Sequence, residues 1–210
     1  VDAYNTSLTR STPTALSASR YALAGASVGD YALFAGGSID GGRSDVVDAY
    51  NTSLTHSTPS ALLTARSSLA GASVGNYALF AGGTAHNGAA NSINAYNTSL
   101  TRSTPTALSA VRHNLAGSSV GSYALFAGGY DDVNVLNVVD AYNTSLTRST
   151  PTVLSAARAY LTGSSVGDYA LFAGGGGSSG AVVDAYNTSL THSTPTALSA
   201  SRYALAGASV

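Results

Sequence analysis

The chain has 210 residues, 44% of them hydrophobic, and a formal net charge of −1, so it carries enough apolar side chain for a sizeable core and disorder is excluded as its default state. Only 9% of residues are charged, every cation being Arg and every acid Asp; the Arg are spread along the chain without a basic stripe, which argues against a nucleic-acid partner. The absence of Cys excludes disulfides, thiolate metal sites and Cys nucleophiles, and no apolar run reaches the ~18 residues of a membrane span.

The first segment, Ala3-Tyr4-Asn5-Thr6-Ser7-Leu8-Thr9, returns from Ala49, Ala95, Ala141 and Ala185, a period of 46 residues and finally 44. Residues 1–210 therefore read as a single repeat domain of about four and a half units, beginning near 1, 47, 93, 139 and 183. Val183 to Val210 repeats Val1 to Val28, with His192 for Arg10. The expectation is a piece of a longer repeat protein, or one that self-associates through incomplete blades.

Further along the unit, Leu23 to Val28 and Tyr31 to Ala35 are apolar runs separated by Gly29-Asp30. Gly followed by a small polar residue predicts a two-residue hairpin with a type II′ turn, repeated at Gly75-Asn76, Gly121-Ser122 and Gly167-Asp168. Gly36-Gly37 and its counterparts Gly82-Gly83, Gly128-Gly129 and Gly174-Gly175 end the second strand. A third strand is predicted at Val47 to Tyr50, and a fourth in the Ser/Thr-rich stretch around Pro59, whose missing N–H suits an outer edge. Tyr31 to Ala35 is apolar on both faces and so belongs inside the sheet. By this parsing there are five first strands, five third-and-fourth pairs and four second strands. The fold class is all-β. A four-stranded antiparallel sheet of this kind cannot bury both its faces alone, and radial repetition into a β-propeller, or part of one, solves that problem. Stacking into an open array is the alternative.

The Gly-Gly pair closing Tyr31-Ala32-Leu33-Phe34-Ala35, the Tyr50 that follows, and the Arg preceding each first strand (Arg20, Arg66, Arg112, Arg158 and Arg202) resemble the Kelch repeat family over essentially the whole chain. The resemblance implies four-stranded propeller blades, with the first strand innermost. The family's usual Trp has no counterpart; small Ser or Thr residues occupy that region.

Chemistry-bearing residues are sparse. His56 and His192 replace the Arg of other units and read as surface substitutions, while His86 and His113 belong to different segments, so no pair has zinc-site spacing and no metal is expected. A radical copper centre of the galactose oxidase kind needs a Cys, a sialidase-like site usually pairs Tyr with Glu, and both Cys and Glu are absent, although Asp could in principle substitute for Glu. No Gly-x-Ser-x-Gly elbow has legible triad partners. The chain is expected to be non-enzymatic and without cofactors. Asn5-Thr6-Ser7 and its repeats match a glycosylation acceptor but also ordinary turn chemistry, which is preferred. The repeated Arg could ring a channel mouth and attract anions; the preferred reading is structural, with guanidinium groups tied to carbonyls or to Asp2, Asp48, Asp140 and Asp184.

What varies between units is the second-to-third loop and the residues after the repeated Arg. The loop reads Ser38 to Ser44, Thr84 to Gly88, Tyr130 to Asn134 and Gly176 to Ser179; the post-Arg pairs include Tyr21-Ala22, His113-Asn114 and Ala159-Tyr160. In an up-and-down meander both sets emerge at one end, where loop variation on a rigid scaffold builds a recognition surface. The predicted ligand-binding residues are Asp40, Arg43, His86, Asn87, His113, Asn114, Tyr130, Asp131, Asp132, Asn134 and Tyr160, suited to a protein or glycan ligand. The function expected is a non-catalytic binding scaffold. The alternatives are a structural repeat of a surface fibre, adhesin or virion, and a propeller enzyme whose catalytic residues lie outside this chain. Low charge with many Ser, Thr and Ala suits an extracellular surface.

Overall fold

The computed structural model describes residues 1–176 and 179–209. Gly177 and Ser178 of the fourth variable loop, and Val210 in the fifth first-strand segment, lie outside the described residues. No helix occurs among those described, and four copies of one antiparallel four-stranded sheet follow one another along the chain. Sheet I comprises Ala24–Val28, Tyr31–Ala35, Val47–Asn51 and His56–Ser57, bonded in that order. Sheets II, III and IV repeat it, with first strands at Ala70–Val74, Ala116–Val120 and Thr162–Val166. The second strand is internal, as its apolar character requires. The fourth is only two residues long and ends before Pro59, shorter than the Ser/Thr-rich stretch suggests.

The turns follow from local chemistry. Val28 pairs with Tyr31 across Gly29-Asp30, and Gly29 has φ +50°, the left-handed value a type II′ turn needs at its first corner. In the third-to-fourth turn, Asn51 Oδ1 accepts the Ser53 and Thr55 N–H groups at 3.0 and 2.9 Å, and Asn5, Asn97, Asn143 and Asn187 do the same. That is the turn role preferred for the Asn-Thr-Ser segment. The same turn puts Leu54 and its equivalents Leu8, Leu100, Leu146 and Leu190 at φ 57–60°, which costs a Cβ-bearing residue on the order of 1–2 kcal/mol. Leu100, Leu146 and Leu190 offset this by packing on the core of the preceding sheet.

Alternation sorts each sheet into two faces. On one, Ala32, Phe34, Asp48 and Tyr50 lie together by register; on the other lie Val28, Leu33, Ala35, Val47 and Ala49. The second face of sheet I is covered by Ala78, Phe80 and Tyr96 of sheet II, and the same contact recurs between II and III and between III and IV. Phe80, Phe126 and Phe172 are fully buried, as inter-sheet core residues should be, whereas Phe34 is only half-buried, with no four-stranded sheet packed against it among the described residues.

First strands of successive sheets run side by side. A Cβ on Gly71 would lie 2.2 Å from the Gly25 carbonyl oxygen, so only glycine permits this approach, and Gly117, Gly163 and Gly207 stand equally close to the preceding glycine. Ser73 Oγ donates to Ser27 O at 2.7 Å and Ser119 Oγ to Ser73 O at 2.7 Å, joining the first three sheets, while between sheets III and IV Ser118 Oγ donates to Ser164 O at 2.6 Å. No such contact joins Gly207 to Gly25, whose nearest neighbours are its own sheet's residues. The sheets are thus arranged in series, consistent with a propeller-like layout, without a detected closed ring. At the two ends the pattern is partial. Ala3–Tyr4 pairs only with Arg10–Ser11 among the described residues, and 205–209, the described part of the expected fifth first strand, form no ladder.

Candidate functional site

The scaffold below the variable loops is fixed by the repeated Arg. Arg112 Nη1 donates to the Gly128 and Val138 carbonyls at 2.9 and 2.8 Å, and Nη2 to Asp140 Oδ2 at 2.6 Å, pinning the end of the second strand to the third. Arg20 and Arg158 pair likewise with Asp48 and Asp184. In sheet II the partner is Asn94 Oδ1 at 2.7 Å, so Arg66 has no carboxylate there. Arg66, Arg112 and Arg158 are fully buried, which removes them as an anion-attracting ring and supports the structural reading. Burial pulls the Arg66 and Arg112 guanidinium pKa values down to about 10. Asp2 is an exception, since it bonds only the exposed Arg10.

The buried Asp also gathers the chain that precedes each sheet, accepting the Ser17 N–H at 3.0 Å in sheet I and the Ser109 N–H at 3.1 Å in sheet III. His56 and His192 are not free surface substitutions. Each is half-buried and holds this same carboxylate, with Nε2 2.6 Å from Asp48 and 2.7 Å from Asp184. Although burial pushes the Asp48 carboxyl up, bonds from His56 and Ser17 and the Arg20 charge hold it below the usual carboxylate range.

Above the pins, the two variable segments of each unit meet. Tyr21 and Ser38, Ser67 and Thr84, and His113 and Tyr130 exchange paired backbone hydrogen bonds of 2.7–3.1 Å, and the Gly176 N–H donates to Ala159 O at 2.7 Å. The residue following each of these contacts, Ala22, Ser68, Asn114 or Tyr160, sits at φ 52–58°, as does Ala204 at the equivalent place in the fifth unit. These five are linked in chain order: each N–H from Ser68 onward donates to the preceding member's carbonyl at 2.8–2.9 Å. Together with the neighbouring leucines they line one depression of about 210 Å³ to which all five units contribute. Asn114 and Tyr160, both predicted site residues, are on its rim.

The densest constellation belongs to sheet III. His113 and Tyr130 rings meet edge-on at 5.4 Å. Asn114 Nδ2 lies 2.7 Å from His113 Nδ1, and His113 Nε2 lies 3.0 Å from Asp132 Oδ1. An Asn114 N–H donated to Nδ1 leaves the imidazole proton on Nε2, facing the carboxylate. Asp132, at φ +77°, reaches back to the loop of the preceding unit and accepts the Ala89 N–H at 2.6 Å. Asp131 Oδ1 accepts the Val133 and Asn134 N–H groups at 2.9 and 2.6 Å. Both carboxyls are held below their ordinary range, Asp131 by the Asn134 and Val133 N–H groups and Asp132 by that of Ala89.

The remaining predicted residues stand apart. Asp40 is exposed at the tip of a small hairpin, Ser38–Ile39 with Gly42–Arg43, on which Arg43 is also exposed. His86 and Asn87 form the exposed tip of a second hairpin, Thr84–Ala85 with Gly88–Ala89. In sequence these segments read as plain loops, although Asp40-Gly41 is a turn signal. Two large exposed side chains of the variable segments lie outside the predicted set of ligand-binding residues. Tyr21 belongs to the face through its bridge to Ser38, and Val133 stands out in an otherwise polar loop. The arrangement offers aromatic edges, amide groups and two carboxylates, and no group of three or more His, Cys, Asp or Glu able to hold a metal occurs among the described residues. No family model matches the chain, and no curated protein is significantly similar to it.

Proposed function

We propose that the chain is a non-catalytic recognition scaffold, built as all or part of a β-propeller of Kelch-like units, that binds a protein or glycan through the face formed by its variable segments. One observation carries this reading. The segments that differ between units are bonded to each other at one end of every sheet, while the copied side chains are spent on packing and on buried pins. Variation is concentrated where side chains are free to meet a partner.

On this face the sheet III cluster is the strongest anchor. Tyr130, His113 and Tyr160 supply amphipathic rings; Asp132 and Asn114 fix the orientation of His113, against which Tyr130 packs edge-on. The test begins by panning a displayed random-peptide library and a glycan microarray against the folded chain. Ligands recovered should lose binding when Tyr130→Ala or His113→Ala is introduced. Ligands that ignore both variants and are instead lost with changes at the Asn143 turn, at the opposite end, would refute the reading.

A further inference from the structure

Resting on the recognition reading, we infer that His113 is a pH-responsive switch of that face: a proton gained at Nδ1 turns the Asn114 amide over and exchanges the hydrogen-bond acceptor it presents for a donor. The polarity of the whole cluster is set from one end. The Ala89 N–H can only donate, and Asp132 Oδ2 accepts it at 2.6 Å. An ionised carboxylate can only accept, so Oδ1, 3.0 Å from His113 Nε2, requires the ring's N–H there whether the imidazole is neutral or charged. Nδ1 is then the ring atom left to gain or lose a proton. Without one, it accepts from Asn114 Nδ2 at 2.7 Å. With one, taken from solvent, it must donate, and the amide meets it only by a half-turn that brings Oδ1 to the place of Nδ2. Asn114 lines the depression beside the cluster, and the other end of its amide has no protein partner among the described residues.

The framework around these atoms is fixed while the proton comes and goes. His113 and Tyr130 exchange backbone bonds of 3.0 and 2.9 Å, and the Tyr130 ring stands edge-on to the imidazole. The Asn114 N–H donates to Ser68 O and its carbonyl accepts from Tyr160, both at 2.9 Å, so units II and IV hold its backbone from either side. The His113 side chain is 13% exposed, within reach of solvent protons without leaving its bonds. A Cβ on Gly88 would come 2.6 Å from Asp132 Oδ2, so glycine permits the carboxylate to reach the neighbouring hairpin. The ionisable groups around His113 are Asp132, Asp131 next to it, the Tyr130 phenol, and Tyr160 beyond Asn114; Arg112 spends its guanidinium on the buried pin to Asp140. From unit II the contact is the Ala89 N–H, with His86 at that hairpin's exposed tip. The Ala89 and His113 bonds hold Asp132 below the usual carboxylate range, so it stays ionised while histidine titrates. Ligand groups that donate, such as hydroxyls, are favoured beside neutral His113, and groups that accept, such as carboxylates, beside the imidazolium.

The probe is the proton itself, followed by NMR of the 15N-labelled full chain from about pH 8 to about pH 5, the span over which histidine changes charge. No ligand takes part, so a negative result leaves the recognition reading standing, and panning that yields no ligand leaves the switch standing. At the upper end Nδ1 should resonate as an unprotonated ring nitrogen and Nε2 as a protonated one. On acidification the Nδ1 resonance should move to the protonated position, and the Asn114 side-chain amide should shift with the same midpoint. Asn114→Ser, which places there the residue found at Ser68, removes that amide signal and so assigns it.

Asp132→Asn gives the sharper outcome. Its side-chain oxygen must keep the Ala89 N–H, so its NH2 meets Nε2, which then has to accept. The imidazole proton should move to Nδ1, and Asn114 should turn over, at about pH 8 with no change of charge on the ring. An Nδ1–H tautomer in the parent at that pH, an Asn114 amide that stays still while His113 titrates, or an unchanged tautomer in folded Asp132→Asn would overturn the inference.

Discussion

The face of sheet III that meets sheet II and the outer face of sheet I are written in nearly the same residues and end in different states. Phe126 packs into the groove of sheet II and is fully buried, while Phe34, in an identical Tyr-Ala-Leu-Phe-Ala strand, has no four-stranded sheet packed against it among the described residues and stays half-buried. Each Phe still keeps its edge-on Tyr partner, at 6.1 Å for Phe126–Tyr142 and 6.0 Å for Phe34–Tyr50. The difference shows which stability belongs to a unit and which to its neighbour, the division that governs repeat proteins.

The largest expected effect breaks the comparison at that point. Phe126→Ala should cost about 3–5 kcal/mol in denaturant unfolding, and Phe34→Ala less than about 1.5 kcal/mol. Equal losses would mean that the groove contributes little.

A smaller effect compares sheets II and III through their pins. Asp140→Asn should cost about 2–3 kcal/mol by leaving Arg112 without its carboxylate, whereas Asn94→Asp should gain about 1–2 kcal/mol by supplying one to buried Arg66. Denaturation midpoints of the two single variants decide it. Opposite signs are the signature, and a loss from both would show that the Asn94 environment is built for a neutral side chain.

The buried tyrosines extend the comparison to pH. Burial pushes the Tyr96 phenol up to about 12, whereas Tyr50, at the open face, is raised less. A folded pKa above the unfolded value near 10 means full stability below pH 10 and a loss as pH rises towards 12. Unfolding free energy should fall by about 2 kcal/mol over that window from Tyr96. Tyr96→Phe should flatten the fall more than Tyr50→Phe does.

The smallest effect concerns the left-handed leucines. Leu8, 81% exposed, has the strain without the packing, so Leu8→Gly should raise the protection of its hairpin's amides by up to about 1 kcal/mol. Leu146→Gly, which loses its contact with the core of sheet II, should destabilise. Hydrogen exchange reads both.

These contrasts also mark what could be read from sequence. The two-residue Gly turns, the internal second strand and the structural role of Arg depend on contacts that recur in the complete units, so the repeat itself displays them. Features that depend on a particular neighbour were not legible. Phe34 and Phe126 have the same sequence context, and only the missing sheet separates them. His56 and His192 looked like surface changes because the Asp they hold lies eight residues back, across the third-to-fourth turn. Leu54 and its equivalents give no signal for positive φ, since the conformation is imposed by the Asn turn. At the candidate face, topology was enough to place both variable sets at one end. It could not reveal that His113 joins Tyr130, Asn114 and Asp132, whereas Asp40, Arg43, His86 and Asn87 stand on separate hairpin tips.

The proposal that scaffold and recognition face are separable is tested most directly by replacing Tyr130 to Asn134 with Gly-Ser and measuring, on one preparation, thermal unfolding and binding of a ligand recovered by panning. The account predicts a fold within about 1 kcal/mol of the parent and binding weakened by at least about tenfold. An intact fold with unchanged affinity after the same replacement in all four loops would contradict it.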